Sequence, residues 1–294
     1  MFADIFIFAK NLEPRMKRTA FFLIFLLVSS VALGQKKEKI KGSRNVTVQA
    51  KEIADFENVE VEDNLDLFLQ YGDKCELEIE ADDNTHDAII ISSNGGTLRI
   101  STAKDVTSTK KFSVKVTYTN NFKMLIAKDD ANVTALTDIK LDNFTFKTTG
   151  SAKVFANIRS KVFTLMGNDK SKAELNIVSE NSTIELSKNA QLKALISSPK
   201  LKIDLYQKAI ATVEGDATDL KLRLDNNTNF TGKNLAAKNA DIVAEGNSNV
   251  SIAVSGNTVI AASGKSEIDL HGEQTKIEIR KFTESASIRK RPLK

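Results

Sequence analysis

Along most of this chain apolar and polar residues alternate one for one in short runs. Clear cases are Val250-Ser251-Ile252-Ala253-Val254, Leu220-Lys221-Leu222-Arg223-Leu224 and Ile277-Glu278-Ile279. A period of two sends successive side chains to opposite faces, so each run predicts a half-buried strand. Beyond the N-terminal leader no stretch carries the i, i+3, i+4, i+7 apolar stripe of an amphipathic helix. Between the runs lie short polar corners of Asn, Asp, Ser, Lys and Gly, residue types that tolerate turn and left-handed backbone.

The runs recur. From about residue 128, corner-plus-strand units end at Val133, Val154, Ala173, Leu192, Ile210, Phe230, Val250 and Ile268, spaced 18 to 21 residues apart. A second apolar series, half a period out of step, runs Phe144, Phe163, Ile184, Ile203, Leu222, Ile242, Ile260, Ile279, with the same range of spacings. Two series sharing one period predict a repeat unit of two strands and two corners, stacked on copies of itself. The expected fold is all-β: a right-handed parallel β-helix, or β-solenoid, of about 19 residues per rung. The Leu-x-x-Leu-x-Leu-x-x-Asn consensus of leucine-rich repeats, which have a similar length, is absent.

Residues 52–127 are also strand-like but less regular, with candidate strands at 56–61, 65–71, 75–81, 88–92, 97–102, 112–118 and 122–127 and a hairpin turn at Asn94-Gly95-Gly96. They are expected to form the first rungs and an N-terminal cap, continuous with a regular solenoid over 128–281. Residues 35–51 then form a charged leader and 282–294 a C-terminal tail.

Ahead of all this, Met16-Lys17-Arg18, the apolar run from Ala20 to Val28 and the small residues before Gln35 describe a secretory signal peptide over 1–34, with the true start at Met16. The competing reading is an uncleaved anchor, although the run is short for a membrane span. The expectation is an exported protein of the periplasm or outer cell surface, with no stable membrane span after cleavage. Removing 1–34 takes away four bases and two acids, leaving 38 bases and 36 acids, a net of +2. Such a balance argues against a nucleic-acid partner, which needs a concentrated basic patch. The one dense basic cluster, Arg289-Lys290-Arg291, reads as a solvated tail. The single cysteine, Cys75, has no intrachain disulfide partner and alternates with Leu77 and Ile79, as a buried strand position would.

Candidate chemistry is sparse. The two histidines, His86 and His271, lie far apart in the chain and outside any H-E-x-x-H pattern. They read as a surface-loop residue and a rung corner. Gly-Ser occurs at Gly42 and Gly150, but nowhere is there the Gly-x-Ser-x-Gly of a nucleophile elbow. Asp82, Asp83 and Asp87 offer hard oxygen ligands for Ca²⁺, without the spacing of known calcium loops; a plain polar turn competes with that reading. Glu185, Asp204 and Asp269 alternate with apolar residues, as a solvated face would. No catalytic residue and no cofactor is implied.

One resemblance covers nearly the whole mature chain. The run from Phe56 to Val59, then Asn64-Leu65-Asp66-Leu67, Gln70-Tyr71-Gly72 and Glu78-Ile79-Glu80-Ala81-Asp82-Asp83-Asn84 resembles the opening of the head GIN domain. This family of auto-transporter adhesins, a domain of unknown function, is common in Bacteroidota. Gly96-Thr97-Leu98-Arg99-Ile100 is similar to its recurring G-T-L-x-I, Val114-Lys115-Val116-Thr117-Tyr118 to the strand that follows, and Gly150 to Val154 and Gly246 to Val250 to its later repeats. Asn64 stands where the family more often has Gly. The resemblance implies secretion, a β-helical fold and an adhesive role, with no catalytic residues to carry over. The leading expectation is therefore an exported envelope module that binds a glycan or protein. A periplasmic structural or stress-sensing module is the alternative, and a polysaccharide-active β-helix enzyme a third reading.

Overall fold

The computed structural model of the chain describes residues 37–292; the expected signal peptide and start site lie outside them. The described chain is a β-solenoid of about nine turns, each of about 19 residues. In its regular part a single strand such as Lys153–Gly167, Lys172–Leu186, Gln191–Leu205 or Ile210–Leu224 runs across both faces of a coil. Each pairs in parallel with the coil before and the coil after it.

Because neighbouring strands stand about 4.8 Å apart in register, inward residues stack into columns. One column runs Val114, Leu67, Val133, Val154, Ala173, Leu192, Ala211, Phe230, Val250, Ile268 and Ile288. The sequence series differs from it at one place. Ile210 pairs with Gln191 and points out to solvent, and the small Ala211 takes the inward position between Leu192 and Phe230. The other series crosses between two adjacent columns: Phe144 and Phe163 stack in line with Ser182, whereas Ile184 continues the column of Leu125, Phe146 and Leu165. Phe122, Phe144, Phe146 and Phe163 form a chain of ring contacts with centroids 4.7 to 6.0 Å apart, filling the core near its N-terminal end.

The corners stack too. Asp129, Gly150, Asp169, Lys188, Gln207, Asn226, Gly246, Gly264 and Glu284 all adopt left-handed backbone, with φ between 55° and 76°. The residue after each donates its N–H to the left-handed residue one coil back, as from Lys170 to Gly150 and from Asn189 to Asp169, each 2.7 Å. Two residues on, a small side chain such as Ala152, Ser171, Ala190 or Ala209 turns inward and is buried.

The N-terminal end breaks the sequential order. The coil built from Asn58–Val61 and Asp66–Tyr71 lies between the coil that follows it in sequence, Thr97–Thr102 with Phe112–Tyr118, and the coil of Met124–Ala127 with Asn132–Ala135. The stack ends in antiparallel strands. Ile89–Asn94 closes one face through the two-residue turn Gly95-Gly96, and Glu76–Asp82 closes the other. Residues expected as a charged leader add a further strand there: Val46–Lys51 pairs antiparallel with Glu76–Asp82. The expected C-terminal tail is likewise structured. Ser287–Arg291 pairs in parallel with Glu267–His271, and Arg289 bridges Asp269 at 2.8 Å and also Glu267, so the basic cluster is not a free tail.

Candidate functional site

Each side chain between two inward residues points outward, so equivalent outward residues form rows that cross the coils. One face carries a groove of about 500 Å³ spanning five coils, from Thr134 to Glu214, with Phe155, Glu174, Asn176, Lys193 and Leu195 on its walls and floor. Phe155 and Leu195 stand two coils apart with 39% and 53% of their surfaces exposed. Between them runs an amide ladder. Asn157 Nδ2 donates to Asp138 Oδ1 at 3.2 Å, and Asn176 Nδ2 to Asn157 Oδ1 at 2.8 Å. Arg159 and Asn157 bind the Asp138 carboxylate and hold its pKa below the usual range. On the far side Asn234 Nδ2 donates to Glu214 Oε1 at 3.2 Å.

The other face holds a broader groove of about 700 Å³, lined by alternating charge: Lys200 beside Asp219, and Lys202 and Lys221 followed by Asp241. Asn239 Nδ2 donates to Asp219 Oδ1 at 3.0 Å. Its walls carry no aromatic side chain.

The residues singled out from the sequence have structural places. Asp82 is buried, and its carboxylate accepts the backbone N–H groups of Arg44 at 2.7 Å, Lys110 at 3.0 Å and Lys111 at 3.1 Å. Burial pushes this carboxyl up, but the N–H groups of Lys111, Arg44 and Lys110 together outweigh that and hold it below the usual range. Asp83 takes the Ser43 hydroxyl and the Asn45 amide, and Asn84 Oδ1 the Ser43 N–H. Gly42 lies against this clasp, since a Cβ there would sit 2.2 Å from Asp82 Oδ2. The Gly42-x-Arg44 segment thus ties the first strands to the cap. Asp87 sits apart in the short 3₁₀ turn His86–Ala88. Among the described residues no group of three or more Asp, Glu, His or Cys side chains is placed to hold a metal ion.

His86, expected in a surface loop, is instead buried, with Nε2 2.8 Å from Thr47 Oγ1. A local polar context hid this, because the covering strand Val46–Lys51 comes from elsewhere in the chain. His271 ends its strand 3.1 Å from Ser251 Oγ. Cys75 is half-buried against the core, one residue before Glu76–Asp82. Of the acids expected on a solvated face, Glu185 is exposed and Asp269 is shared by Arg289 and Arg291. Asp204 is only 8% exposed and bridges Lys202 at 2.7 Å. Sequence reasoning missed the groove, because Phe155 and Leu195 lie 40 residues apart and meet only once the coil length is known.

A parallel β-solenoid with side-chain grooves on its outer faces defines a class: repeat scaffolds that present a surface. The chain belongs to the family described as "Putative auto-transporter adhesin, head GIN domain", whose sequence profile matches residues 55–273. Three crystal structures share the fold. A putative adhesin from Parabacteroides merdae ATCC 43184 aligns at 18% identity and TM-score 0.58, covering 86% of this chain and 99% of its own. One from Parabacteroides distasonis ATCC 8503 aligns at 17% and 0.60, covering 86% and 100%. A structure from the same strain named as a putative lipid binding protein aligns at 17% and 0.55, covering 86% and 99%. No curated protein sequence matches the chain. Among the described residues no helix is long and apolar enough to cross a membrane.

Proposed function

We propose that this chain is an exported, non-catalytic binding module of the cell envelope, an adhesin-like protein whose solenoid face receives a glycan or protein ligand. The observation that carries this reading is the groove between Phe155 and Glu214: it joins exposed apolar side chains to fixed amides and carboxylates. Mixed lining of this kind suits recognition, in which apolar surface supplies affinity and a few placed polar groups supply orientation. The family's description, and those of the three related structures, name adhesins and a lipid-binding protein and no enzyme. The basic N-terminal segment and apolar run before Gln35 support export.

Protease shaving of intact cells, with a periplasmic protein as control, tests the surface placement. Removal of the chain from whole cells supports an adhesin. Cleavage only after the outer membrane is breached replaces that reading with a periplasmic structural or stress-sensing module.

A further inference from the structure

We infer that the groove running from Phe155 to Glu214 binds an uncharged oligosaccharide laid across the coils. This deepens the reading of the chain as a binding module and rests on it.

The argument begins with what the groove withholds. The coils beneath it, Lys153–Gly167 through Ile210–Leu224, are each paired on both sides. Apart from breaks at Ala156–Asn157 on the first of them and at Val213–Glu214 on the last, their backbone N–H and C=O groups are therefore spent in the ladder. A peptide that binds by adding a strand needs a free edge, and this face has none. Recognition here must come from side chains alone.

Those side chains suit a sugar. A pyranose has an apolar C–H face and a rim of hydroxyls that both donate and accept. Phe155 offers an exposed flat ring for the apolar face, and Leu195, two coils on, offers a second apolar rest. The amide ladder ends between them. Asn176 uses one amide hydrogen on Asn157, and its position on the next coil is taken by Leu195, which has no donor. Among the hydrogen bonds of the described residues, Asn176 Oδ1 accepts none, so one planar amide keeps both an acceptor and a donor for the groove. Glu174 and Glu214 add carboxylate acceptors for vicinal hydroxyls, and Thr212 a hydroxyl.

Charge narrows the class. Against Glu174 and Glu214 the groove sets a single ammonium, Lys193. With Lys153 and Lys172 exposed in the neighbouring outward row, charge on this face is near balance, so it offers an acidic polysaccharide no concentrated basic patch and leaves neutral sugars favoured. The strands beneath, hydrogen-bonded on both sides, hold the array in place before binding, which lowers the ordering cost.

The test is an array of neutral oligosaccharides (glucan, mannan, galactan and N-acetylhexosamine fragments) with alginate and heparin as acidic comparators. It is probed with the full chain and with Phe155→Ala, Asn176→Ala and, on the opposite face, Lys221→Ala. Thermal melts check that each variant folds, and the two groove variants serve as independent readings. Binding to a neutral fragment, weakened roughly tenfold or more by Phe155→Ala or Asn176→Ala and unchanged by Lys221→Ala, is expected. Binding confined to the acidic polymers, or neutral binding that only Lys221→Ala removes, overturns the assignment. If no sugar binds while the chain still adheres to cells or to a matrix protein, the sugar class falls and the binding-module reading stands. If nothing binds at all, both fall.

Discussion

Ile203 and Leu222 occupy one column of the core, in register on adjacent coils, and expose 0% and 1% of their surfaces. Ile184 lies behind them and Ile242 ahead, so neither side chain has a path to water. A carboxylate placed there has no partner, and stranding a charge in such a column costs about 3–5 kcal/mol. Each coil is held only by its two neighbours, so the damage falls on the middle of the stack. Ile203→Asp or Leu222→Asp is expected to lower the urea midpoint steeply or abolish folding. An unchanged midpoint would refute the inward assignment.

Ile210 and Ala211 make a sharper test, because hydrophobicity points to the wrong one. Ile210 is 40% exposed above Gln191, whereas Ala211 is fully buried between Leu192 and Phe230. Ile210→Lys is expected to shift stability by no more than about 0.5 kcal/mol, as an ordinary surface change does. Ala211→Asp is expected to cost several times that. Equal effects from the two in a denaturant titration would mean that the register slips by one residue.

This pair also shows what could be read from the chain and what could not. Alternation and period survive in a linear sequence because each coil repeats the same physical problem. The solenoid and its length per turn were therefore legible at Ile184, Ile203, Leu222, Ile242 and Ile260. Register at a corner is weaker, since a large Ile beside a small Ala draws the eye inward although it is Ala211 that stacks in the core column between Leu192 and Phe230. The reversed order of the first coils was hidden, because Asn58–Val61 and Thr97–Thr102 pair through contacts about which local pattern is silent. The groove was hidden for a related reason: Asn157 and Asn176 join into a ladder only when coil length brings them side by side.

Gly215 holds φ at +111°, and a Cβ there would meet the carbonyl oxygen of Ile196 at 2.1 Å. The obstacle is backbone on the neighbouring coil, which cannot swing aside, so Gly215→Ala is expected to cost about 2 kcal/mol or more. Gln207 is the converse case. It sits in left-handed backbone at φ 65°, where relief of the Cβ contact makes Gln207→Gly neutral or stabilising by up to about 1 kcal/mol. Thermal melts of both variants read the two signs directly, and a stable Gly215→Ala would show that the two strands are not in contact at that point.

The Asp82 clasp makes the N-terminal cap sensitive to acid. Its carboxylate is held by the N–H groups of Arg44, Lys110 and Lys111, and its folded pKa lies below that of a free aspartate, about 3.9. A lowered folded pKa means that the unfolded chain binds the proton first as pH drops. The stabilisation is therefore complete above the unfolded value and is lost as pH falls through the folded one. Asp83, held low by the Ser43 hydroxyl and the Asn45 amide, contributes with the same sign. Stability is expected to decline as pH falls below about 4, with Asp82→Asn less stable at neutral pH and flatter over that acid range. Hydrogen exchange should place the loss in Val46–Lys51 and Glu76–Asp82, the antiparallel strands that the clasp joins. Calcium should leave the unfolding midpoint where it is, because the Asp82 oxygens are already taken by donors. A midpoint raised by millimolar calcium, or an Asp82→Asn variant with the wild-type acid profile, would overturn the clasp as the source of the acid sensitivity.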